Sequence, residues 1–352
     1  MNEAQVIRVD SYIKELERFG ISFTNTSTEE ARNFLTTNTY YQKLRSYLGR
    51  TPEEGEFAGL DFEDLVELSK IDFSLSRQVL TLALSIEHAL KIQIWHLVES
   101  EEADFLQKCL DQIDREWVDR WKAKPHKSSK RKKPPKFSKL KIQTTDYSRA
   151  YLDAPSKYKT EWPNVLNCEL WELLESLLFG QVIDLYDTAL QEGESKKGIP
   201  RHYLKRIQEL RNAAAHENCL LVRASTTGDE PKEWEPVDDC DIDSVFPSCF
   251  HNTSVSHLAV EKKQEGLSRL FLHDFCILLH VHDRLVESTG MKGHALLELE
   301  KLRDRIACGK KRINNNQTSS CQLKSEINTT LSAAIVAINQ FIPPNQSEPN
   351  DC

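Results

Sequence analysis

The chain is short of glycine and proline, the residues that most often form turns. Together they account for 25 of 352 residues, about 7% against a typical share of about 12%. A fold of many short strands needs many tight turns, so this scarcity favours helices. Hydrophobic residues make up 39% and charged residues 28%, which are ordinary values for a globular protein and argue against general disorder. We therefore expect a folded all-α protein with one large domain or two ordinary ones.

Paired cysteines and long apolar runs are also absent from the sequence. Its nine cysteines lie far apart and form no CxxC pair, so neither a zinc knuckle nor a disulfide framework is predicted. The most apolar window, 79–98, is interrupted by polar residues such as Glu87 and Lys91. We expect it to be a core helix rather than a membrane span. The acidic N-terminal segment lacks the pattern of a signal peptide. These features predict reduced thiols, a cytoplasmic location and no membrane partner.

One short strip has a charge opposite to that of the rest of the chain. The formal net charge is −8, which argues against a protein coated with basic residues. From Arg120 to Lys141, however, there are eleven Lys or Arg and no acid. So many like charges are costly to crowd together unless they are solvated or partnered. Two interpretations stay open, an arm that binds RNA phosphates and a solvent-exposed tether. The candidate RNA-binding residues of this basic strip are Lys127, Lys130, Arg131, Lys132, Lys133 and Lys136.

Apolar residues recur at helical spacing along most of the chain. The spacing predicts an amphipathic helix at 3–19, another at 27–37 that begins with a capping box of Ser27 and Glu30, a long central helix over about 71–99, and a helix pair or one kinked helix around Gly180. It also predicts a helix with one apolar face, formed by Tyr203, Leu204, Ile207, Leu210 and Ala214. The resulting layout is an N-terminal helical region at 1–60, first core helices at 61–121, a basic loop or arm at 122–160, motif helices at 161–222, an irregular surface connection at 223–258, C-terminal helices at 259–308 and a weakly ordered tail at 309–352.

A candidate catalytic group lies in the segment ELRNAAAHEN, residues 209–218. Arg211 is a permanent cation whose planar guanidinium matches a phosphate, and His216 can exchange a proton near neutral pH. A histidine can take the proton of a ribose 2′-hydroxyl or deliver one to the leaving 5′-oxygen. An arginine can stabilise charge on the phosphate oxygens, and neither step needs a metal or another cofactor. Asn212 is expected to position the backbone or Arg211. The segment suits RNA cleavage, but a surface helix with an incidental histidine has the same spacing.

The two catalytic candidates do not share a face of one helix. At 100° per residue, side chains five positions apart are separated by about 140° around the axis. A site formed by Arg211 and His216 of two chains across a two-fold axis would bring them together. We therefore expect a homodimer.

Four segments of the chain together resemble a known family. RNAAAH has the R-N-x-x-x-H form of HEPN ribonucleases, and YLKRIQELRNAAAHENCLL is similar to the motif block of the abortive-infection Abi family (AbiD/AbiF type), phage-defence proteins with that helical fold. Three further blocks occur in the family's order: FLTTNTYYQKLRSYLGR from Phe34, FEDLVELSKIDFSLSRQVLTLALSIEHALKIQI from Phe62 with Asp72, Arg77 and Glu87 at polar positions, and ELWELLESLLFGQVIDLYDTAL from Glu169. The chain departs from the pattern at Glu217, where a second histidine often follows, and at Lys91, which replaces a usual arginine.

The resemblance implies a HEPN-type helical bundle, to which this chain adds an N-terminal helical elaboration and a C-terminal helical appendage. It also implies a metal-independent, RNA-directed toxin, usually dimeric, in which Arg211, Asn212 and His216 occupy the motif positions. RNA is the expected partner, together with a second copy of the chain and an RNA or protein antitoxin. Glu87 either orients the motif helix or is an ordinary polar residue. The alternative function is a non-catalytic RNA-binding or protein-interaction module of a phage-defence or toxin–antitoxin system.

Three histidines near the C-terminal end invite a metal interpretation. His273, His280 and His282 lie close in sequence to Asp274 and Asp283. They belong to an otherwise apolar helical stretch and lack further ligands at metal-binding spacing. We expect these histidines to be structural, and no metal site is predicted.

Overall fold

The computed structural model describes residues 3–38, 41–49, 52–123, 136–137, 169–193, 198–221, 269–315 and 322–342. Over these residues the protein is all-α, as predicted, with eleven α-helices and one 3₁₀ turn. The only strand-like pairing in this part of the chain is a single bridge between Ser22 and Asp61. The chain forms two compact units: unit 1 comprises residues 1–83 and 209–352, and unit 2 comprises residues 84–208.

The N-terminal part of unit 1 is a pair of helices. Helix α1 spans Glu3–Arg18 and α2 spans Thr28–Thr37, and the two pack against each other. The start of α2 is the predicted capping box, in which the Glu30 N–H donates to the Ser27 hydroxyl at 3.3 Å and the Glu30 carboxylate accepts the Ser27 N–H at 2.8 Å. This exchange satisfies N–H groups that a helix start otherwise leaves free. A short helix, α3, follows at Tyr41–Arg45 and continues into a 3₁₀ turn at Ser46–Leu48.

The longest helix, α4, spans Phe62–Glu99 and contributes residues to both units. It includes the predicted central helix and also the preceding segment, because no glycine or proline interrupts 62–99. Its apolar side chains recur every three or four positions and are almost completely buried, as expected for a core helix. They include Leu65, Leu68, Leu75, Val79, Leu82, Ile86, Leu90 and Ile94. A search of the described helices finds none with the length and apolar character of a membrane span.

Unit 2 contains α5 (Phe105–Ala123), α6 (Leu170–Ser176) and α7 (Phe179–Glu192). Helix α5 packs along α7. The predicted discontinuity near Gly180 is a pair of separate helices, since Leu177 and Leu178 are extended between α6 and α7. Gly180 itself lies in the first turn of α7, where a Cβ would clash with the side chain of Gln208. The break in the helix therefore lies just before Gly180, at Leu177 and Leu178.

The C-terminal helices of unit 1 extend beyond 259–308, the region in which the sequence predicted them. Helix α9 spans Arg269–Leu285, α10 spans Thr289–Asn315 and α11 spans Gln322–Asn339. Part of the 309–352 tail, which we expected to be weakly ordered, is helical in the structure, at 309–315 and at 322–339. Helix α11 packs on both α9 and α10. Its apolar stripe combines Leu and Ile with alanines and is interleaved with Asn, Ser and Thr, which weakens the period in the sequence. The buried members are Leu323, Ile327, Leu331, Ala333, Ala334, Ala337 and Ile338.

Helix α10 approaches α4 closely within unit 1. A Cβ on Gly309 would lie 2.5 Å from Ile71 Cδ1 and 3.0 Å from Glu67 Oε1. Glu67 is buried and forms an ion pair with Arg305 of α10. Helices α10 and α4 therefore approach this closely because residue 309 has no side chain.

Candidate functional site

The RNAAAH motif lies at the C-terminal end of helix α8, Arg201–Ala215. The start of this helix is held within unit 2, where Arg201 pairs with Asp184 and with Asp187 of α7. Asp184 is buried and also accepts a hydrogen bond from the Trp117 indole at 3.1 Å. The predicted apolar face of α8 is confirmed by its buried residues, Tyr203, Leu204, Ile207, Leu210 and Ala214.

Arg211 and Asn212 contact each other near the end of α8. The Arg211 Nη1 donates a hydrogen bond to the Asn212 Oδ1 at 3.2 Å, and both side chains are partly buried. The Arg211 Nε is buried and has no hydrogen-bond partner in the part of the chain that the structure describes. No carboxylate of the described residues forms an ion pair with this guanidinium. Arg211 is thus a partly oriented cation that retains donors for a bound anion.

His216 is the last residue bonded into the helix and is exposed to solvent. Its N–H donates to the Asn212 carbonyl at 3.0 Å. The next residues close the helix in a Schellman arrangement, with the Glu217 N–H on the Ala214 carbonyl at 3.1 Å and the Asn218 N–H on the Ala213 carbonyl at 2.9 Å. Over the described ranges the His216 imidazole makes no hydrogen bond. The ring is therefore accessible to a ligand.

Glu217 adopts a left-handed backbone conformation, with φ at 53°. This conformation is usual for glycine at the end of a helix and unfavourable for a residue with a Cβ. The Glu217 side chain is exposed and forms no ion pair with His216, a statement limited to the residues described. The acidic replacement of the second histidine is therefore a solvated charge next to the motif.

The chain after the motif is attached to helix α4 through Asp72. The Asp72 Oδ1 accepts the N–H of Leu220 at 2.9 Å and the N–H of Leu221 at 2.8 Å. Burial raises the pKa of Asp72 to about 6, although the two N–H donors and Lys43 lower it. Beside this carboxylate, the Cys219 thiol donates to the Lys43 carbonyl at 3.3 Å. The segment that follows the motif in the sequence, residues 219–221, thus contacts helices α3 and α4, which lie far from it in the sequence.

The role of Asp72 was missed by sequence reasoning, which placed it only at a polar position of the family block. A signal was present, because Asp72 lies at helical spacing from Leu68, Leu75 and Val79, which places an acid on the buried side of a strongly apolar helix. An acid at such a position needs polar partners. The sequence does not reveal that those partners are backbone groups 148 and 149 residues away.

Glu87, the second supporting candidate, lies on α4 within unit 2. Its carboxylate is 3.7 Å from the Lys91 Nζ one turn along the same helix, and Lys91 also lies 3.9 Å from Glu175 of α6. The Glu87 and Lys91 side chains are 15% and 17% exposed, so their ion pair is partly buried. The expected link of Glu87 to the motif helix stays a prediction.

The basic strip falls mostly outside the described residues. Of its six candidate RNA-binding residues, Lys136 is described and is exposed, whereas Lys127, Lys130, Arg131, Lys132 and Lys133 lie outside the described ranges. The neighbouring Phe137 is buried and packs edge-on against Trp117 of α5, with ring centroids 5.5 Å apart. Phe137 attaches this end of the strip to unit 2.

The three C-terminal histidines lie on α9 in a largely apolar setting. His273 Nδ1 lies 2.8 Å from the Asp274 carboxylate, and His282 is buried. Burial, assisted by Lys292, lowers the pKa of His282 to about 4. Within the described ranges, no group of three or more His, Cys, Asp or Glu side chains is arranged to hold a metal ion.

Comparison with known proteins assigns the segment that contains Asp72 and the RNAAAH motif to one family. A search of the curated proteins and a search of solved structures each returned no match. A family model described as "Abi-like protein" matches residues 33–221. The match covers more than half of the chain and includes helices α4 to α8, Asp72 and the whole RNAAAH motif. The chain belongs to the Abi-like protein family.

Proposed function

We propose that the protein is an antiphage effector that cleaves RNA without a metal ion, using Arg211 and His216. Membership of the Abi-like family associates the chain with abortive infection, a form of phage defence. The observation that carries the finer proposal is the state of the motif: the His216 imidazole is exposed with no hydrogen bond, and Arg211 has no acidic partner, among the described residues.

The proposed reaction begins with attack of a ribose 2′-oxygen on the adjacent phosphorus. The 2′-hydroxyl proton passes to a base, the bond from phosphorus to the 5′-oxygen breaks, and that oxygen leaves with a proton from an acid. The products are a 2′,3′-cyclic phosphate and a 5′-hydroxyl. His216 performs one of the two proton transfers. Arg211 stabilises the charge on the non-bridging oxygens, and Asn212 restrains the guanidinium through the hydrogen bond at 3.2 Å.

We further propose that two copies of the chain complete the site. Arg211 and His216 lie five positions apart, about 140° around the axis of α8, so one helix does not direct both side chains at the same phosphate. In a two-fold dimer, the arginine of one copy and the histidine of the other can face one phosphodiester.

RNA cleavage by the wild-type protein and by His216→Ala tests the chemistry. We expect the variant to lose about 10²- to 10⁴-fold in rate, the usual contribution of a general acid or base. His96→Ala is a matched control, because His96 is also exposed and lies in the last turn of a helix; this variant should cleave normally. Equal cleavage by wild type and His216→Ala would remove the histidine from the mechanism, and loss of wild-type cleavage in a chelator would contradict metal independence.

Mixing two inactive variants tests the composite site. Arg211→Ala retains His216, and His216→Ala retains Arg211, so a dimer formed from one copy of each has one complete site. Half of the dimers in an equimolar mixture are of this kind, and each has one site of two, so we expect about a quarter of wild-type activity. No recovery, with subunit exchange verified, would place both residues of a working site on the same chain.

The basic strip favours one second candidate, a module that binds RNA without cleaving it. Lys136 is exposed, and eleven like charges in a short segment suit phosphate contacts. This function predicts RNA binding that weakens steeply with salt and yields no product. Binding should fall when Lys130, Arg131, Lys132 and Lys133 are neutralised. An antitoxin that covers the motif is a proposed partner under either function.

A further inference from the structure

The end of the motif helix is closed by an arrangement that is weak on its own. The Schellman turn after His216 needs a left-handed residue, and Glu217 takes that position with φ at 53° instead of glycine. Residues 215–218 are exposed, so little side-chain burial secures the turn. Terminal helical turns fray readily under these conditions. Another contact must hold the backbone that carries His216.

Asp72 supplies such a contact from helix α4. Its Oδ1 accepts the N–H groups of Leu220 and Leu221, four and five residues after His216, at 2.9 and 2.8 Å. Leu221 is fully buried and Leu220 nearly so. Without Asp72 the N–H of the buried Leu221 would lose its acceptor, which a folded chain rarely tolerates. The contact therefore determines whether the segment from Glu217 to Leu221 stays closed.

We propose that Asp72 is a positioning residue for His216, holding the chain immediately after the motif so that the imidazole keeps one orientation at the end of α8. The proposal rests on the proposed function for its catalytic consequence. The structural part concerns the backbone of residues 216–221 alone.

The surroundings of Asp72 are consistent with a carboxylate whose main hydrogen-bond donors are backbone N–H groups. Asp72 is fully buried, and no cation forms an ion pair with it within the described ranges. The Tyr47 hydroxyl also faces this carboxylate as a hydrogen-bond donor, and it lowers the pKa of Asp72 less than the two N–H groups do. The charged or titratable groups that face Asp72 are Lys43 of α3, Tyr47 of the 3₁₀ turn and Cys219 of the held segment. The two amide donors are thus the main polar contacts of this carboxylate.

Two substitutions at Asp72 distinguish loss of the acceptor oxygen from loss of the negative charge. Asp72→Leu removes the acceptor that the N–H groups of Leu220 and Leu221 share. Asp72→Asn keeps an oxygen of the same reach and should restore most of the contact. Leu65→Ala is the control, because Leu65 is fully buried two turns earlier on α4, so this change lowers global stability without touching the acceptor.

Amide hydrogen exchange of residues 216–221, measured relative to the amides of α4, gives the first result. Loss of charge-assisted hydrogen bonds should speed exchange of this segment about 10- to 100-fold in Asp72→Leu. The amides of this segment should stay protected in Asp72→Asn. In Leu65→Ala their exchange rates should change by the same factor as those of the α4 amides. Unchanged relative exchange in Asp72→Leu would overturn the proposal.

Steady-state cleavage of RNA gives the second result. In Asp72→Leu the displaced imidazole should lower kcat about tenfold to a hundredfold, whereas KM should stay within about twofold of the wild-type value. Asp72→Asn should retain most of kcat. Faster exchange with unchanged kcat would overturn the positioning role. Absence of cleavage by the wild-type protein would instead overturn the proposed function, and the exchange data would still decide whether Asp72 holds residues 216–221.

Discussion

Replacing Asp72 by Asn should abolish a loss of stability that the wild-type protein undergoes as the pH approaches neutrality. Burial raises the pKa of Asp72 from the ordinary 3.8 to about 6. Between these two values the folded protein retains a proton that the unfolded chain has released. The stability contributed by this group is therefore fully present below the unfolded pKa and is lost as the pH rises through the folded pKa.

The size of the effect follows from the shift in pKa. One pKa unit corresponds to about 1.4 kcal/mol, so a rise from 3.8 to about 6 corresponds to at most about 3 kcal/mol. An asparagine does not titrate and escapes this loss. The free energy of unfolding of Asp72→Asn minus that of the wild type should thus increase between about pH 4 and pH 7 by up to that amount.

Urea unfolding of both proteins at several pH values measures this difference. Every other titrating group is common to the two proteins, so its contribution cancels to first order, and only the change with pH matters. Burial of the Asn amide adds a constant that does not affect the slope. A difference that stays constant from pH 4 to pH 7 would contradict this prediction, because it would mean that Asp72 titrates alike in the folded and unfolded states.

Two further predictions concern backbone geometry. Glu217→Gly should raise the free energy of unfolding by about 0.5–1 kcal/mol, because glycine takes the left-handed conformation without the penalty of a Cβ, partly offset by its greater freedom when unfolded; urea unfolding measures this, and a less stable variant would contradict the assigned turn. Gly309→Val should lower stability by about 1–3 kcal/mol, because its Cβ would lie 2.5 Å from Ile71 Cδ1; an unchanged melting temperature would show that α10 and α4 are not so close.

Local features of the sequence were sufficient to predict most of the helices. The capping box at Ser27 and Glu30, the long apolar helix α4 and the buried face of α8 depend on residues within a few positions of one another. Helix α11 was underestimated because its buried face uses alanines, which become core residues only when α9 and α10 cover them. Whether a small side chain is buried depends on the helices that pack against it rather than on the sequence of its own helix.

The candidate site divides in the same way. The sequence alone determined the chemistry available at Arg211, Asn212 and His216 and their place on one helix, because residue type and helical spacing are local properties. The exposure of His216, and the hydrogen bonds from the chain after it to a buried acid on α4, depend instead on how the helices pack. Hydrogen bonds across 148 and 149 residues depend on how the helices pack, and no spacing along the chain encodes that arrangement directly.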